Sequence, residues 1–245
     1  MFHVNISHPD YKSLMSNIAI IVPARHGSTR LPAKALAKIR DKPLVWYVWR
    51  QAINCALGDV FIATDHDDIA STAKAFGANV IMTPTSCHTG SDRVAAAINT
   101  LPKNYDIIIN VQGDLPFIDP QEVKKVIQPI EQGYDVGTLV TCMEESQQQN
   151  RNCVKAIVST SEASAIHRCH WFCRAALTYG HYHLGVYAYR KDTLAHFTSV
   201  HPHPLERTES LEQLRFLTLG YTIGCLLYTS PSPRDATLSR MPSSA

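Results

Sequence analysis

The sequence contains no apolar run near the roughly 20 residues that a membrane-spanning helix needs. Its first residues, MFHVNISHPDYKS, also lack the apolar core of a signal peptide. Neither charge sign is in large excess. The chain has 23 Lys and Arg and 21 Asp and Glu, which gives a formal net charge of +2. Such a balance argues against a surface that coats nucleic acid, and the lack of an export signal predicts a cytoplasmic protein.

Cysteine occurs without the spacing of a disulfide framework. The seven cysteines are an odd number at irregular intervals, so free thiols are the simpler interpretation. One segment, HRCHWFC at 167–173, sets two His and two Cys close together and suggests zinc. No second ligand pair follows it at zinc-finger spacing, which makes a zinc site the less favoured alternative.

The two common glycine-rich phosphate motifs, the Walker loop and GxGxxG, are missing, yet residues 20–34 (IIVPARHGSTRLPAK) predict a phosphate site. The aliphatic run at 20–22 predicts a buried parallel strand, and Pro23 predicts its end because proline has no N–H for a sheet ladder. The loop that follows carries Arg25, Arg30 and Lys34, which match the roughly four negative charges of a nucleoside triphosphate. The alternative is a solvated basic loop beside a sheet.

Strand and helix patterns alternate along the chain. The predicted strands are residues 18–22, 60–63, 79–82, 105–111, 136–142, 154–159 and 185–189, and the predicted helices are residues 44–56, 67–76, 91–99, 120–130 and 206–219. This order predicts one α/β domain with a mostly parallel sheet and helices on both faces. Ligands of such sheets bind beyond the carboxyl ends of the strands, where the loops after residues 22 and 111 meet.

Both chain ends differ in composition from the predicted domain, which we place at residues 15–225. Residues 1–14 are polar and without periodicity, and we expect them to be disordered. Residues 226–245 are rich in Ser, Pro and Thr and resemble translated sequencing-adaptor sequence. We therefore expect a disordered tail that replaces a native C-terminal segment, with a natural flexible tail as the alternative.

Asp114 is the best metal candidate. It follows the buried run IIINV through Gln112 and Gly113, which places a carboxylate at the ligand edge of the predicted sheet. Magnesium favours one or two carboxylates completed by phosphate oxygens and water, which suits a metal beside a triphosphate. The alternative is an aspartate that caps a turn or a helix.

Several motifs occur together in a fixed order. They are PARxxSTRLPxK at 23–34, TDH at 64–66, TGSDR at 89–93, VQGD at 111–114, HLGVYAYR at 183–190 and LERTESLEQLR at 205–215. In this combination, over residues 18–224, the chain resembles the sugar-activating cytidylyltransferases. A series of motifs is far more specific than any one of them.

The resemblance implies a Rossmann-like nucleotide-diphospho-sugar transferase fold with an arm that forms dimer contacts, and hence a homodimer. It implies that CMP passes from CTP to the anomeric hydroxyl of 3-deoxy-D-manno-octulosonate (KDO), an acidic eight-carbon sugar of lipopolysaccharide, with Mg²⁺ as cofactor. The alternatives are another acidic sugar, such as a sialic acid or an amino-KDO, or a protein that binds CTP without turnover.

The resemblance also assigns residues to roles. The residues assigned to catalysis are Arg25, Lys34 and Asp114, with Asp114 as the metal ligand. The nucleotide residues are Ala24, Arg25, Ser28, Lys34, Thr89, Ser91, Arg93 and Gln112. The sugar residues are Arg174, His183, Tyr187, Glu206, Glu209 and Gln213. The segment HRCHWFC becomes a strand that leads to Arg174.

The chain departs from the family pattern at three places. Leu115 stands where the family has an acidic residue, and the loop between Arg174 and His183 is short. A C-terminal GVDT motif, whose Asp is a second metal ligand in the family, is missing, and Asp235 has none of its flanking pattern. These departures bear on the choice of sugar and on the second metal carboxylate.

Overall fold

The computed structural model describes residues 17–27, 33–159 and 164–228. Its strands are β1 Ile18–Ala24, β2 Lys38–Ile39, β3 Lys42–Pro43, β4 Asp59–Thr64, β5 Asn79–Met82, β6 Ile107–Val111, β7 Val136–Cys142, β8 Lys155–Val158, β9 Ile166–Cys173, β10 His181–Arg190 and β11 Ile223–Leu227. Its helices are α1 Leu44–Asn54, α2 Asp67–Ala75, α3 Gly90–Ile98, α4 Pro120–Lys125, α5 Gln128–Glu131, α6 Glu145–Gln148, α7 Lys191–Ser199, α8 Pro204–Glu209 and α9 Gln213–Thr218, with a short 3-10 helix at Lys34–Leu36.

The main sheet has nine strands in the order β5-β4-β1-β6-β10-β7-β11-β9-β8. The pairs β5-β4, β4-β1, β1-β6 and β7-β11 are parallel, whereas β10 and β9 run against their neighbours. The α/β prediction is confirmed, and its parallel character is strongest in β5-β4-β1-β6. The carboxyl ends of β1 and β6 therefore lie side by side at one edge.

Both faces of the sheet are covered by helices. Along β1, Ile20 and Val22 pack into a core that includes residues of α1 and α2, while Ile21 packs on the opposite face with residues of α3, α7 and α9. Successive strand residues point to opposite faces, so a continuous aliphatic run is what a strand buried on both sides requires. None of the helices in the described part of the chain is long and apolar enough to cross a membrane.

Proline ends one ladder of β1, not the strand itself. The pairing of β1 with β6 stops at Ile21, but Pro23 and Ala24 continue the pairing with β4. Because proline lacks only its own N–H, it is tolerated where one side of a strand no longer needs a donor. The prediction that the strand ends before Pro23 is wrong by two residues.

Two predicted helices are interrupted. The helix predicted at residues 206–219 is α8 and α9, separated by Ser210, whose φ of 54° lies in the left-handed region. The helix predicted at residues 120–130 is α4 and α5, and Pro129 in α5 cannot donate the hydrogen bond that a continuous helix needs. Apolar periodicity alone does not reveal either interruption.

Strand β11 moves the C-terminal boundary of the domain. It lies between β7 and β9, inside the sheet, and it includes Leu226 and Leu227, beyond the predicted boundary at residue 225. Tyr228 is also buried, and its hydroxyl accepts a hydrogen bond from the Asp119 N–H at 3.2 Å. The domain therefore continues through residue 228. Residues 226–228, which we expected to belong to the disordered tail, are therefore part of the domain. Residues 1–14 and 229–245 lie outside the described residues. The dimer arm stays a prediction.

Candidate active site

Two adjoining cavities open at the carboxyl edge of β1 and β6. The smaller, of about 280 Å³, lies between the loops that follow these two strands, and the larger, of about 680 Å³, extends toward β10, α8 and α9. They share a wall formed by Arg25, His88, Thr89, Gln112 and Asp114. The position agrees with the predicted ligand edge of the sheet.

Lys34 and Asp114 face each other in the smaller cavity. Lys34 begins the short 3-10 helix, and Asp114 follows β6, yet Lys34 Nζ lies 3.4 Å from Asp114 Oδ2. Their side chains are 41% and 36% exposed, so both remain accessible to a ligand. The two loops approach closely because residue 113 is glycine, where a Cβ would lie 2.9 Å from the carbonyl oxygen of Pro23.

Arg93 holds the loop after β1 in place through Asp65. Its guanidinium is 2% exposed and donates to Asp65 Oδ2 at 2.8 Å and to Thr83 Oγ1 at 2.6 Å. The other oxygen of Asp65 accepts from the backbone N–H of His26 at 3.2 Å. Arg93 lines the smaller cavity, but its contacts make it a residue that holds the loop carrying Arg25.

The segment TGSDR forms the N-terminus of α3. Thr89 is the N-cap and lines both cavities, and its Oγ1 accepts from the Asp92 N–H while Asp92 accepts from the Thr89 N–H. Ser91, predicted to bind the nucleotide, is instead completely buried, and its Oγ lies 3.0 Å from the Tyr189 hydroxyl. The first turn of α3 points Ser91 into the core, so that prediction is corrected.

Gln112 sits where the two cavities meet. Its backbone N–H donates to the carbonyl of Gly185 at 3.1 Å. A Cβ at position 185 would lie 2.6 Å from Gln112 Oε1, so the side chain of Gln112 rests directly on the glycine of β10. The glycine in HLGVYAYR therefore makes room for Gln112.

Arg174 lies at the wall of the larger cavity and is held by main-chain carbonyls. Its Nε donates to the carbonyl of Glu209 at 3.1 Å, and Nη1 donates to that of Arg151 at 3.2 Å. Glu209, predicted to bind sugar, does not line the cavity, and its Oε2 accepts from the Arg174 N–H at 3.0 Å. Glu209 therefore positions Arg174.

His183 lines the larger cavity as a neutral ring. Burial lowers the pKa of His183 to about 3. The Thr138 hydroxyl donates its only hydrogen to the carbonyl of Val186 at 2.7 Å, so it accepts from His183 Nε2 at 3.0 Å. The hydrogen is therefore on Nε2, which leaves Nδ1 as an acceptor for a ligand hydroxyl.

Tyr187 forms part of the same wall. It is 2% exposed, and its ring centroid lies 5.3 Å from that of His183. Burial raises the pKa of the Tyr187 phenol well above its usual value, so the group keeps its proton. Gln213, also buried, begins α9 and completes the predicted sugar side of the cavity.

Glu206 lines the larger cavity, but its carboxylate forms an ion pair with Arg215. Both of its carboxylate oxygens accept from Arg215, at 2.5 Å from Nη2 and 2.7 Å from Nε, and the two side chains are 7% and 3% exposed. Arg215 also lies over the ring of Phe197, 4.1 Å from its centroid. Its carboxylate therefore holds α8 against α9, and the sugar role of Glu206 stays a prediction.

Sequence reasoning missed Glu212, which stands next to Gln213 in the LEQLR motif. Its Oε2 accepts from the Ser91 N–H at 3.1 Å, whereas Oε1 is covered and has no hydrogen-bond partner. Burial raises the pKa of this carboxyl group, and hydrogen bonds from Thr89 and Ser91 partly oppose that effect. Glu212 lines the larger cavity with an acceptor still to be satisfied.

His88 stands immediately before TGSDR, in the loop that the resemblance places near the nucleotide, although no role was assigned to it. It is exposed and lies in the wall shared by both cavities. Of the predicted residues, Ala24 lines the smaller cavity, and Ser28 lies outside the described residues. The HRCHWFC segment is β9, as predicted, and Cys169 and Cys173 in it are buried.

Comparisons with known proteins agree with this geometry. Residues 19–223 match the cytidylyltransferase family. The 3-deoxy-manno-octulosonate cytidylyltransferase of Bartonella henselae is 42% identical over 206 residues, covering 81% of this chain and 84% of that protein. The protein of the same name from Paramagnetospirillum magneticum is 41% identical over 216 residues, covering 85% and 88%.

A solved structure extends the similarity to the fold. The structure of a CMP:2-keto-3-deoxy-manno-octonic acid synthetase complexed with CTP superposes with a TM-score of 0.78 at 32% identity, covering 92% of this chain and 96% of that one. The predicted Rossmann-like nucleotidyltransferase fold is confirmed. The chain belongs to the cytidylyltransferase family.

Proposed function

We propose that this enzyme transfers CMP from CTP to the anomeric hydroxyl of KDO, giving CMP-KDO and pyrophosphate. The observation that carries the proposal is the pair of adjoining cavities, one basic and one lined by hydroxyl-binding groups, with a shared wall. Relatives about 40% identical over most of their length carry that activity in their names. The substrates are small polar molecules, which is consistent with the predicted cytoplasmic location.

The smaller cavity is the proposed triphosphate site. Arg25 and Lys34 supply cations there, and Thr89 stands at the N-terminus of α3, a helix of nine residues. Cationic side chains and the N-terminus of a helix both stabilise phosphate oxygens. We assign Gln112 to the nucleotide as well, since it lines both cavities and is held by Gly185.

The larger cavity is the proposed acceptor site. Arg174 brings a positive charge to this wall, which suits a sugar carboxylate, and its contacts with the carbonyls of Glu209, Arg151 and Ser210 fix the plane of the guanidinium. The Nδ1 of His183 and the Oε1 of Glu212 are acceptors for sugar hydroxyls. These groups suit a polyhydroxylated acid.

Asp114 is the proposed ligand of a divalent cation, and magnesium is our choice. The donor set fits, because a half-exposed carboxylate beside a triphosphate site is the arrangement in which Mg²⁺ binds through one protein oxygen, phosphate oxygens and water. When bound, such an ion would neutralise charge on the phosphate oxygens. Lys34 shares that task from the opposite wall.

The proposed reaction is an in-line displacement at the α-phosphate. The anomeric oxygen of the sugar forms the new bond to phosphorus, and the bond to pyrophosphate breaks. Charge gathers on phosphate oxygens, so positioning and electrostatic stabilisation provide the catalysis, and no covalent enzyme intermediate is needed. The residues of the shared wall hold the two substrates in contact.

The experiment is pyrophosphate release by the full chain with CTP and Mg²⁺, given KDO, a sialic acid or an amino-KDO in parallel. The proposal expects release with KDO at a kcat/KM well above that with the other sugars. A preference for another acidic sugar would keep the reaction type and change the acceptor. Release with none of them, in a protein that binds CTP, would contradict the proposed turnover.

A protein that binds CTP without turnover is the second candidate. The observation in its favour is that Asp114 is the one carboxylate lining the smaller cavity among the described residues. Calorimetry with CTP separates the two candidates, because the binding-only protein gives heat of binding but no pyrophosphate. Grafting a C-terminus with GVDT after Tyr228, which leaves β11 intact, restores turnover only if a second carboxylate is what the chain needs.

A further inference from the structure

A cluster of metal-binding side chains lies beside the proposed active site but outside both cavities. His26 follows Arg25 in the loop after β1, and His66 and Asp68 lie at the start of α2, directly after β4. One ligand atom from each residue lies within 4.8 Å of the others. Because β1 and β4 are parallel neighbours, their carboxyl ends bring these two segments together.

The cluster is held in place by its surroundings. The imidazole rings of His26 and His66 are stacked, with centroids 3.8 Å apart and an interplanar angle of 12°, so one ring turns out of the stack when both nitrogens bind the same ion. The backbone N–H of His26 donates to Asp65, which is itself fixed by the buried Arg93. Although His26 lies in a loop, its backbone is therefore anchored to Asp65 at the end of β4.

The separations approach those around a shared ion. Nitrogen and oxygen ligands lie roughly 2.0 to 2.2 Å from zinc, so two ligands of one tetrahedral ion stand about 3.3 to 3.6 Å apart. His66 Nδ1 lies 3.6 Å from Asp68 Oδ2, at the upper end of that range. The three ligand atoms all lie within 4.8 Å of one another, and rotation of the exposed Asp68 side chain and of the imidazoles brings them to the bonded spacing.

We propose that His26, His66 and Asp68 form a site for a zinc-class divalent metal ion that bridges the loop after β1 and the start of α2. Two imidazoles and one carboxylate favour borderline transition metals over Mg²⁺, which prefers an all-oxygen shell. In binding the ion, Nδ1 of His66 exchanges its hydrogen bond from the Asp68 N–H for a bond to the metal. The ion joins the backbone next to Arg25 to the end of β4.

The test is titration of the metal-free full chain with Zn²⁺ in a calorimeter, without substrates. His26→Gln and His66→Asn each remove one ligand, and asparagine keeps the N-cap of α2. Losing a ligand weakens binding at least as much as losing an outer-shell partner, so we expect a loss of affinity of about tenfold or more at one site. Asp68→Asn gives a loss in the same direction.

His203→Asn is the matched control, because His203 is also an N-cap whose Nδ1 accepts a backbone N–H, here from Leu205. The chain has 12 His and 7 Cys, so other weak sites are expected, and only the difference between variants counts. We expect His203→Asn to keep the wild-type titration. Equal affinity and stoichiometry in wild type, His26→Gln and His66→Asn would overturn the proposal.

Two further measurements bear on the same claim. Co²⁺ in place of Zn²⁺ gives visible absorption bands that report its ligands, and we expect these bands to weaken in His26→Gln. Zn²⁺ also raises the unfolding temperature of the wild type more than that of the variants, since a ligand of the native state stabilises it. Neither readout depends on the proposed CMP transfer, so failure of one proposal leaves the other intact.

Discussion

Lys34 Nζ lies 3.4 Å from Asp114 Oδ2, although the two residues are 80 positions apart in the chain. Both side chains are well exposed, so the pair itself contributes little to stability. Its importance is that a cation and a carboxylate lie together at the proposed phosphate site.

The first prediction follows from that pair. A Lys34 contact to phosphate at 4 Å with an effective dielectric near 20 is worth roughly 4 kcal/mol before desolvation, so Lys34→Ala lowers kcat/KM by up to a few orders of magnitude. The unfolding temperature stays near that of the wild type. Pyrophosphate release measures the effect, and a rate within a few fold of the parent would remove Lys34 from the active role.

The second prediction tests whether Glu206 stabilises the fold through Arg215. Its carboxylate and Arg215 form a buried two-point ion pair, and breaking such a pair by removing one partner costs about 3 to 5 kcal/mol. Glu206→Gln therefore lowers the free energy of unfolding by an amount in that range, measured by urea denaturation. A stable variant with only a raised KM for the sugar would favour the sugar-binding role.

The third prediction concerns Glu212. Because burial raises the pKa of its carboxyl group, the charged form is disfavoured in the fold, and Glu212→Gln should not lower stability. Glu212→Gln replaces one acceptor oxygen by an NH2 group, so we expect the KM for the acceptor sugar to rise about tenfold while the KM for CTP stays the same. A change in the CTP constant alone would contradict this assignment.

The fourth prediction is a pH dependence of stability. His183 has a pKa of about 3 in the fold against 6.5 for an unperturbed His, so the unfolded chain binds the extra proton as the pH falls below 6.5. Stability is complete above that value and declines from 6.5 toward 3. From pH 7.5 to 5 the loss from this group is about 2 kcal/mol.

His183→Gln isolates that effect, because glutamine can still donate to Thr138 but does not titrate. Urea midpoints of both proteins across this pH range give the comparison. The variant loses less stability on acidification than the wild type, whatever its stability at neutral pH. Parallel curves would mean that the ring of His183 is protonated as easily in the fold as in water.

The fifth prediction uses Gly185. A Cβ at this position meets the side chain of Gln112, not backbone, so Gly185→Ala displaces Gln112 without disrupting the sheet. Because Gln112 lines both cavities, we expect severalfold higher KM values for CTP and for the acceptor, with a nearly unchanged unfolding temperature. The same substitution combined with Gln112→Ala should add little further loss, since the displaced side chain is already absent.

Residues at the ends of parallel strands were predictable from sequence. An aliphatic run followed by a polar motif fixes both the strand and the edge at which its loop lies, which is why Lys34, Gln112 and Asp114 were identified and are found around one cavity. Residues 18–22 and 107–111 each show such an aliphatic run, which can be recognised from the local sequence alone.

Residues whose partners come from distant elements were not predictable. The sequence around Ser91 predicts a capped helix but not which way its first turn faces, and the hydroxyl binds Tyr189, 98 positions away. The left-handed residue Ser210 ends α8 through tertiary contacts, so the reading of residues 206–219 as one helix missed the pairing of Glu206 with Arg215. Glu212 gave no signal apart from its place in LEQLR.

The shared wall of the two cavities makes their occupants interdependent. A triphosphate and an acidic sugar are both anions, and Arg25 lines both of the cavities proposed for them. The first anion to bind would therefore reduce the positive potential that attracts the second, unless a divalent ion held by Asp114 compensated for its charge. Thermodynamic reciprocity then requires that whatever CTP does to the affinity for sugar, sugar does equally to the affinity for CTP.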